Sequence, residues 1–268
     1  MAAKARLDAE LVRRGLARSR QHAQELVATG RVRIAGMVAT KPATGVDPAA
    51  AVQVMDAPDG NDNAFVSRGG SKLAGALGDL GGPTIAGRRC CDAGASTGGF
   101  TDVLLRAGAR EVVAVDVGYG QLAWSLRTDP RVVVLERTNV RSLQPAALGG
   151  LVDVVVADLS FISLTVVLPA LAACTNPEGD LVTLVKPQFE AGREAVGRGG
   201  VVRDPGVRAD AVRRVAGAAG QLGWGCRGLV ASALPGPAGN VEYFLWLRRG
   251  AAALADVRLL EAIEAGPA

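Results

Sequence analysis

Hydrophobic and polar positions follow two different patterns along the chain. Up to about residue 57, short apolar stripes at helical spacing, such as Leu7 and Leu11, precede brief alternating runs such as Val32 and Ile34. This pattern predicts two small helices, the second capped by Ser19, and a few short strands. The first part of the chain is therefore expected to be a small α+β module.

Beyond residue 65, near-continuous apolar runs of strand length alternate with helical stretches. Such runs suit strands that are covered on both faces, and their alternation with helices predicts an α/β fold with a mostly parallel, doubly wound sheet. The last strand follows a Pro- and Gly-rich turn over 234–240 and is expected to be an antiparallel insertion. We expect strands near 88–92, 111–116, 132–136, 151–158, 180–186, 225–231 and 241–247, and helices near 71–80, 98–107 and 206–222.

A polar run rich in helix and strand breakers, Pro58 to Asn63, separates the two parts of the chain that show these patterns and is interpreted as a linker. The predicted organisation is a module over 1–57, a linker over 58–64 and an α/β domain over 65–268. No internal repeat is visible.

Charge is distributed unevenly between these parts. Residues 1–42 contain nine basic and three acidic residues, whereas the rest of the chain contains 21 basic and 23 acidic ones. A concentrated basic patch indicates a polyanionic partner, and the scarcity of aromatic residues there favours folded RNA over stacked single strands. The candidate RNA contacts are Arg6, Arg13, Arg14, Arg18, Arg20, Arg31, Arg33 and Lys41.

Several classes of protein are made improbable by composition. No apolar run has the length of a membrane span, and no secretory signal is evident, so a cytoplasmic location is expected. The four cysteines lack C-x-x-C spacing and are expected to be reduced. His22 is the only histidine, which disfavours histidine catalysis and a conventional zinc site. We expect a monomer without a metal.

The glycine-rich stretch after the first predicted strand, 90–100, is the centre of the candidate chemistry. An acid ends the strand, a tight turn follows, and a helix then begins. The glycine spacing misses the dinucleotide fingerprint, and Phe100 stands where a phosphate loop needs lysine. Asp116 ends the next strand and suits ribose hydroxyls. The pattern favours S-adenosylmethionine, with Asp92, Gly94, Ala95, Ser96, Thr97, Gly98, Gly99, Phe100, Asp116 and Asp158 as candidate contacts.

Lysines and carboxylates are expected to gather at the same edge of the sheet. Asp158 and Lys186 end the fourth and fifth strands, and an antiparallel last strand would bring Glu242 there. Lys72 precedes the sheet and is expected to fold over it. The chain has only four lysines beside 26 arginines, so a lysine that remains is a candidate for proton transfer.

This set suits methyl transfer to a hydroxyl group, since such a site must align donor and acceptor and remove a proton. A neutral Lys186 would take the proton, Asp158 and Glu242 would orient it, and Lys72 would steady the substrate. Nearby carboxylates favour the charged amine, whereas burial and a second lysine favour the neutral one, and the residues alone leave this open.

Sequence motifs of the chain resemble those of two known families. The first part resembles the ribosomal-protein-S4-like RNA-binding domain through Arg6–Asp8, Ser19–Arg20 and Gly30–Val32. Nearly the whole chain resembles the TlyA family, the haemolysin-A-type rRNA 2′-O-methyltransferases of bacteria. The motifs that carry this resemblance are 67–73, 92–101, 116–122, 158–163, 185–190 and 239–244.

The resemblance implies a Lys-Asp-Lys-Glu tetrad shared with FtsJ-type 2′-O-methyltransferases, here Lys72, Asp158, Lys186 and Glu242. It also implies a cytidine ribose of rRNA as acceptor, in both ribosomal subunits for the longer members, and a link to capreomycin and viomycin sensitivity. Competing readings are a base-directed RNA methyltransferase, a cytolytic protein and a non-catalytic RNA-binding protein. The run 158–161 lacks the prolines typical of base methylation.

Overall fold

The computed structural model describes residues 5–17, 19–28, 30–47, 50–55, 65–192 and 195–267. Contacts divide the chain into an N-terminal unit, Met1–Ala64, and a C-terminal unit, Phe65–Ala268, and each is described by itself. The predicted linker, 58–64, lies outside the described residues, so the domain limits expected from the sequence stay a prediction.

The N-terminal unit is a small α+β module. Its elements are β1 (Ala5–Arg6), α1 (Leu7–Arg13), α2 (Arg20–Ala28), β2 (Val32–Ile34), β3 (Met37–Val38), β4 (Gly45–Val46) and β5 (Val52–Val54). As predicted, Ser19 caps α2, and its Oγ accepts a hydrogen bond from the backbone N–H of His22 at 3.1 Å. Leu7 and Leu11 are fully buried, and they pack with the apolar face of α2.

The C-terminal unit alternates strands and helices, as the pattern of apolar runs predicts. Its elements are α3 (Arg68–Leu80), β6 (Arg89–Ala93), α4 (Gly99–Arg106), β7 (Glu111–Val115), α5 (Trp124–Arg127), β8 (Val132–Leu135), β9 (Val152–Ala157), α6 (Leu164–Cys174), β10 (Thr175–Val185), α7 (Pro187–Glu190), α8 (Pro205–Gln221), β11 (Trp224–Ala231), β12 (Tyr243–Arg249) and α9 (Asp256–Glu264). Short 3₁₀ turns lie at Val140–Ser142, Pro145–Leu148 and Arg198–Gly200.

Seven strands form one sheet in the order β8-β7-β6-β9-β10-β12-β11. The five strands from β8 to β10 are parallel, and β12 runs antiparallel to both of its neighbours. The predicted fold class and the antiparallel insertion are thereby confirmed. Because β12 starts at the edge where the parallel strands end, with Tyr243 opposite Val185, the residue before it lies at that edge.

Both faces of the sheet are covered, which explains the near-continuous apolar runs. On β6, Cys91 packs into the core on one face, and Cys90 packs into the core on the other. Residues of β7 and β9 alternate in the same way. A central strand that is buried on both sides needs apolar residues at every position.

Helix α3 begins at Arg68, three residues before the predicted start at Ser71. Its first turn contains Gly69 and Gly70, which predict a loop from sequence. Gly70 is explained by close packing, since a Cβ there would lie 2.4 Å from the Cβ of Phe65 and 3.0 Å from the carbonyl oxygen of Gly99 in α4. Tertiary contact, rather than turn formation, therefore accounts for Gly70, whereas a Cβ at Gly69 would make only ordinary contacts.

Two further elements differ from the sequence pattern. β10 begins at Thr175 rather than near 180, with an irregular register between Thr175 and Asp180. The segment after Arg249 contains α9, whose Leu259 and Ile263 are buried in the larger core. None of the helices in the described ranges combines the length and the apolar character that crossing a bilayer requires.

Candidate active site

The glycine-rich turn leaves β6 at the carboxyl edge of the sheet. The N–H groups of Gly94 and Ala95 both donate to the carbonyl oxygen of Val115, at 2.8 and 3.1 Å. Gly94 has a φ of +90°, and a Cβ there would lie 2.5 Å from the carbonyl oxygen of Asp158. Only glycine therefore lets the turn pass the end of β9 this closely.

A cavity of about 490 Å³ opens beside this turn. Its volume lies within the range of small-molecule sites, roughly 300–1,000 Å³. It lies beyond the carboxyl ends of β6, β7 and β9, where open α/β sheets bind their ligands. The residues lining it are Gly94, Ser96, Asp116, Val117, Gln121, Asn139, Val140, Asp158, Leu159, Ser160, Phe161, Ile162 and Val167.

Asp116 is fixed at the cavity wall by two backbone groups. Its Oδ2 accepts from the N–H of Ser96 at 2.8 Å, and its Oδ1 accepts from the N–H of Gly118 at 2.6 Å. Each carboxylate oxygen can accept more than one hydrogen bond, so both remain able to receive a ligand hydroxyl. Four of the candidate cofactor residues line the cavity: Gly94, Ser96, Asp116 and Asp158.

Asp92 lies deeper than the cavity wall. It is fully buried, its Oδ2 accepts from the hydroxyl of Thr101 at 2.7 Å, and its Oδ1 has no hydrogen-bond partner among the described residues. Burial raises the pKa of Asp92 to about 7, and the charge of Asp158 adds to the effect. Through its hydrogen bond with Thr101, this carboxyl group connects the end of β6 to the first turn of α4 and so supports the glycine-rich turn between them.

The remaining candidates of the turn also serve packing. Phe100 is buried and stacks near Phe244, with ring centroids 6.0 Å apart. Gly98 has a φ of +98°, and a Cβ there would meet the side chains of Leu122 and Leu126. Ala95, Thr97, Gly98, Gly99 and Phe100 are not among the residues that line the cavity.

The two lysines and two carboxylates form two ion pairs. Lys186 Nζ lies 2.7 Å from Asp158 Oδ1 and donates to Ser160 Oγ at 2.9 Å. Lys72 Nζ donates to Glu242 Oε2 at 2.6 Å, and this second pair is buried. The expectation that Glu242 would orient Lys186 therefore needs correction. In the structure, α3 brings Lys72 to the start of β12, where it pairs with Glu242, whereas Lys186 pairs with Asp158.

Gln188 adjoins the second pair. Its Nε2 lies 3.5 Å from Glu242 Oε1, and its buried Oε1 has no hydrogen-bond partner among the described residues. Gln188 belongs to α7, which begins directly after Lys186. The segment 186–188 thus carries one side chain towards each ion pair.

The basic face of the N-terminal unit is organised by two buried acids. Asp8 pairs with Arg6 at 2.9 Å and with Arg20 at 3.3 Å. Hydrogen bonding from Arg6 lowers the pKa of Asp8 well below its usual range. Because the guanidinium groups of Arg6 and Arg20 stay about half exposed, their orientation is set without removing them from solvent.

Glu10 organises a second arginine pair in the same way. Arg13 and Arg14 each lie 2.6 Å from Glu10 Oε1. Their hydrogen bonds lower the pKa of Glu10 to about 2, and the bond from Arg13 has the larger effect. Among the other candidates, Arg31 donates to the carbonyl oxygen of Met55, and Arg33 and Lys41 are exposed. Arg18 lies outside the described residues.

Comparisons with known proteins match both units. Residues 65–249 match the FtsJ-like methyltransferase family, and residues 5–52 match the S4 domain. The 16S/23S rRNA (cytidine-2′-O)-methyltransferase TlyA of Mycobacterium tuberculosis is 64% identical over 248 residues, which are 92% of this chain and 91% of that protein. The chain belongs to the TlyA family of FtsJ-like methyltransferases.

Two proteins named as hemolysins are also similar over most of the chain. Hemolysin A of Brachyspira hyodysenteriae is 36% identical, with 89% of this chain and 97% of that protein covered. The solved structure of a hemolysin-type protein from Streptococcus thermophilus superposes with a TM-score of 0.77 at 37% identity, covering 98% of this chain and 96% of that one. As a member of this family, the chain is an enzyme of the methyltransferase class, which confirms the predicted class.

Sequence reasoning gave no role to an aromatic pair at the rim of this TlyA-type site. Phe161 is 91% exposed, has a φ of +63°, and stacks near Phe189 with ring centroids 5.2 Å apart. Lys186 Nζ lies 5.8 Å from the ring centroid of Phe189. The available signal was an aromatic residue three positions after a strand-end acid, which by itself does not distinguish a packed ring from an exposed one.

Proposed function

We propose that this chain transfers the methyl group of S-adenosylmethionine to the 2′-oxygen of a cytidine ribose in rRNA. The observation that carries the proposal is the ion pair of Lys186 with Asp158 at the edge of a cavity of cofactor size. The Mycobacterium tuberculosis relative, which is 64% identical, is a 16S/23S rRNA (cytidine-2′-O)-methyltransferase, and this supports the same acceptor.

The residues of the cavity fit the cofactor by their chemistry. Asp116 offers two oxygens to the ribose hydroxyls, and the bare backbone at Gly94 admits close approach of a ligand. Val117 and Val140 add apolar surface. When bound, S-adenosylmethionine supplies an activated methyl group. The protein has then to align the acceptor and remove its proton.

Lys186 is proposed to accept the proton of the 2′-hydroxyl. Its amine lies between Asp158 and Ser160, and both can hold it in one orientation. Only the neutral amine can take a proton, so the rate of methyl transfer is expected to rise with pH. We propose that the buried pair of Lys72 and Glu242 supports this arrangement through Gln188, completing the predicted tetrad.

RNA is proposed to bind through the S4 domain and the rim of the cavity. The arginines on Asp8 and Glu10 are already oriented, which lowers the entropy lost on meeting phosphates. The exposed ring of Phe161 suits stacking on a base that has left its helix. We further propose action on ribosomal particles of both subunits in the cytoplasm, and a resulting sensitivity to capreomycin and viomycin.

The deciding experiment incubates the protein with methyl-labelled S-adenosylmethionine and unmethylated ribosomal subunits, and then maps the label. Label on a cytidine ribose is expected. Lys186→Ala should lower the rate at least about 100-fold, a typical contribution of a general base, while keeping cofactor affinity.

Arg110→Ala serves as the control, because it removes an exposed cation whose ion pair with Asp153 is long, at 3.9 Å. It should methylate like the wild type. Label on a base instead of a ribose, or full turnover by Lys186→Ala, would contradict the proposal.

A further inference from the structure

Glu190 is a buried carboxylate that has no part in the mechanism described above. It ends α7, and both of its oxygens are occupied: Oε2 accepts from the hydroxyl of Ser163 at 2.5 Å, and Oε1 accepts from the N–H of Leu164 at 2.7 Å. Its backbone carbonyl accepts from Arg214 of α8 at 2.8 Å. Glu190 is only 4% exposed, so these contacts are shielded from water.

The contacts of Glu190 join the two segments that carry the reacting ion pair. One segment runs from Asp158 to Ser163, the N-cap of α6. The other runs from Lys186, the N-cap of α7, to Glu190. The segments are connected at one end by Lys186 and Asp158, at 2.7 Å, and at the other end by Glu190. The ring of Phe161 against Phe189 lies between these two connections.

Capping of α6 alone does not account for a carboxylate at this place. Ser163 already caps the helix, since its Oγ accepts from the N–H of Thr165 at 3.2 Å. Burying a carboxylate is costly, and burial raises the pKa of Glu190. A neutral side chain from within α6 could satisfy Leu164 at lower cost. A side chain that reaches from α7 also connects α7 to the start of α6, and a cap from within α6 cannot make that connection.

We propose that Glu190 is a positioning residue that keeps Lys186 against Asp158 by tying the end of α7 to the start of α6. The inference rests on the proposed methyl transfer, and it adds a residue outside the predicted tetrad. Glu190 does not line the cavity, and it contacts the segment at Ser163 rather than at the residues that line the cavity, so its loss is expected to affect the reacting amine more than cofactor binding. Small displacements of reacting groups can cost about 100-fold in rate.

The test compares Glu190→Ala with Glu190→Gln in the full chain. Glu190→Ala should lower kcat about 10- to 100-fold, with the Kd of S-adenosylmethionine changed less than about threefold. Glu190→Gln should recover kcat to within about fivefold, because its amide oxygen can accept from Leu164 and its amide nitrogen can donate to Ser163. Equal damage by both variants, or an unchanged kcat in Glu190→Ala, overturns the proposal.

A second pair of variants covers the case in which Glu190→Ala does not fold. Ser163→Ala removes one end of the connection and should lower kcat about 3- to 10-fold. Thr165→Val is its matched control, because the Thr165 hydroxyl contacts Ser163 at 2.7 Å, whereas Glu190 is bound by Ser163 itself. Thr165→Val should keep the wild-type kcat, and an equal loss in both variants counts against the proposal.

Hydrogen exchange separates failure of this inference from failure of the proposed function. In Glu190→Ala, amides of 158–165 and 186–191 should exchange faster, whereas those of 111–115 should be unchanged. If the wild type methylates no ribose, the proposed function fails while this readout still tests the connection. If the wild type methylates and protection is unchanged in Glu190→Ala, only the positioning role is wrong.

Discussion

Four carboxylates at the carboxyl edge of the sheet have different properties because their surroundings differ. Asp116 accepts two backbone N–H groups and stays open to a ligand. Asp158 pairs with Lys186, and Glu242 pairs with Lys72 in a buried position. Asp92 is fully buried and has no ion-pair partner among the described residues, and this burial raises its pKa to about 7. We therefore propose that the same functional group serves binding, proton transfer, anchoring and packing at these four positions.

Asp92 is predicted to make stability depend on pH. Its pKa is about 7 in the folded chain and 3.8 in the reference state, so between these values unfolding releases a proton and stability falls as pH rises. Relative to Asp92→Asn, the wild type should lose about 1–4 kcal/mol of unfolding free energy between pH 4 and 8.

Denaturant unfolding followed by tryptophan fluorescence measures this difference, since Trp124, Trp224 and Trp246 all lie in the C-terminal unit. Asp210→Asn, at an exposed carboxylate, is the control and should show no such trend. A constant difference between wild type and Asp92→Asn from pH 4 to 8 would show that Asp92 ionises normally.

Phe161 is predicted to contribute to RNA use rather than to stability. Phe161→Ala removes a ring that is 91% exposed, so the melting temperature should change little. Loss of stacking on one base should cost about 1–3 kcal/mol in kcat/KM for the ribosomal substrate. Val257→Ala, at another exposed apolar residue, is the control. Unchanged kcat/KM in Phe161→Ala would exclude a stacking role.

At the scale of elements, glycines mark places where two backbones pass closely. Gly99 of α4 packs on Gly70 of α3, and Gly94 passes the end of β9. These contacts hold the turn, the first helix of the sheet and α3 in one arrangement. Since α3 also carries Lys72, the same packing fixes one member of the buried ion pair.

Gly94→Ala is predicted to impair the cavity more than backbone strain alone explains. Both Gly94 and Gly120 have positive φ, at +90° and +68°, so alanine at either position should cost about 1–2 kcal/mol of stability. Only at Gly94 does the new Cβ meet the carbonyl oxygen of Asp158, at 2.5 Å, whereas Gly120 has open space.

Calorimetric titration with S-adenosylmethionine checks this prediction. Gly94→Ala should raise Kd at least about tenfold, because displacing Asp158 and the turn costs more than about 1.4 kcal/mol of binding free energy. Gly120→Ala should keep Kd within about threefold. Equal effects of the two substitutions would indicate that strain at positive φ is the whole cause.

At the scale of the whole molecule, positive charge is concentrated at one end of the sequence, while the net charge of the rest is slightly negative. The arginines of the N-terminal unit fall into two physical groups. Among the described residues, Arg6 and Arg20 are paired with the buried Asp8, and Arg13 and Arg14 with the buried Glu10, whereas the cations Arg33 and Lys41 are exposed. Their removal should therefore have different consequences for stability.

Lys41→Gln and Arg6→Gln are predicted to separate RNA affinity from folding. Each should weaken binding to ribosomal RNA and reduce the slope of log affinity against log salt by about 1, if each cation meets one phosphate. Arg6→Gln should also lower the melting temperature, because Asp8 stays buried with a weaker set of partners.

Filter binding at several salt concentrations, together with thermal unfolding, provides both readouts. Arg213→Gln, on α8 of the C-terminal unit, is the control and should alter neither. Salt slopes that stay at the wild-type value in both test variants would argue against RNA binding through this face.

Local patterns were sufficient for most of the elements. Apolar runs located the seven strands to within a few residues, and Ser19 marked the start of α2. They failed where tertiary contact overrides local preference. Gly69 and Gly70 are typical of a loop but form a helical turn, and α9 lies within the segment after Arg249, which shows no recognisable motif.

The amino-acid order alone determined the two-part organisation of charge, the alternation of strands with helices, and the set of acids and lysines at one sheet edge, because burial on both faces and parallel connections constrain composition. Only the tertiary structure decided how those groups pair. Which carboxylate meets which lysine depends on where α3 and β12 bring their residues in space, and the contacts of Glu190 and Phe161 depend on two loops that are 26 or more residues apart. Local sequence carries no information about such distances.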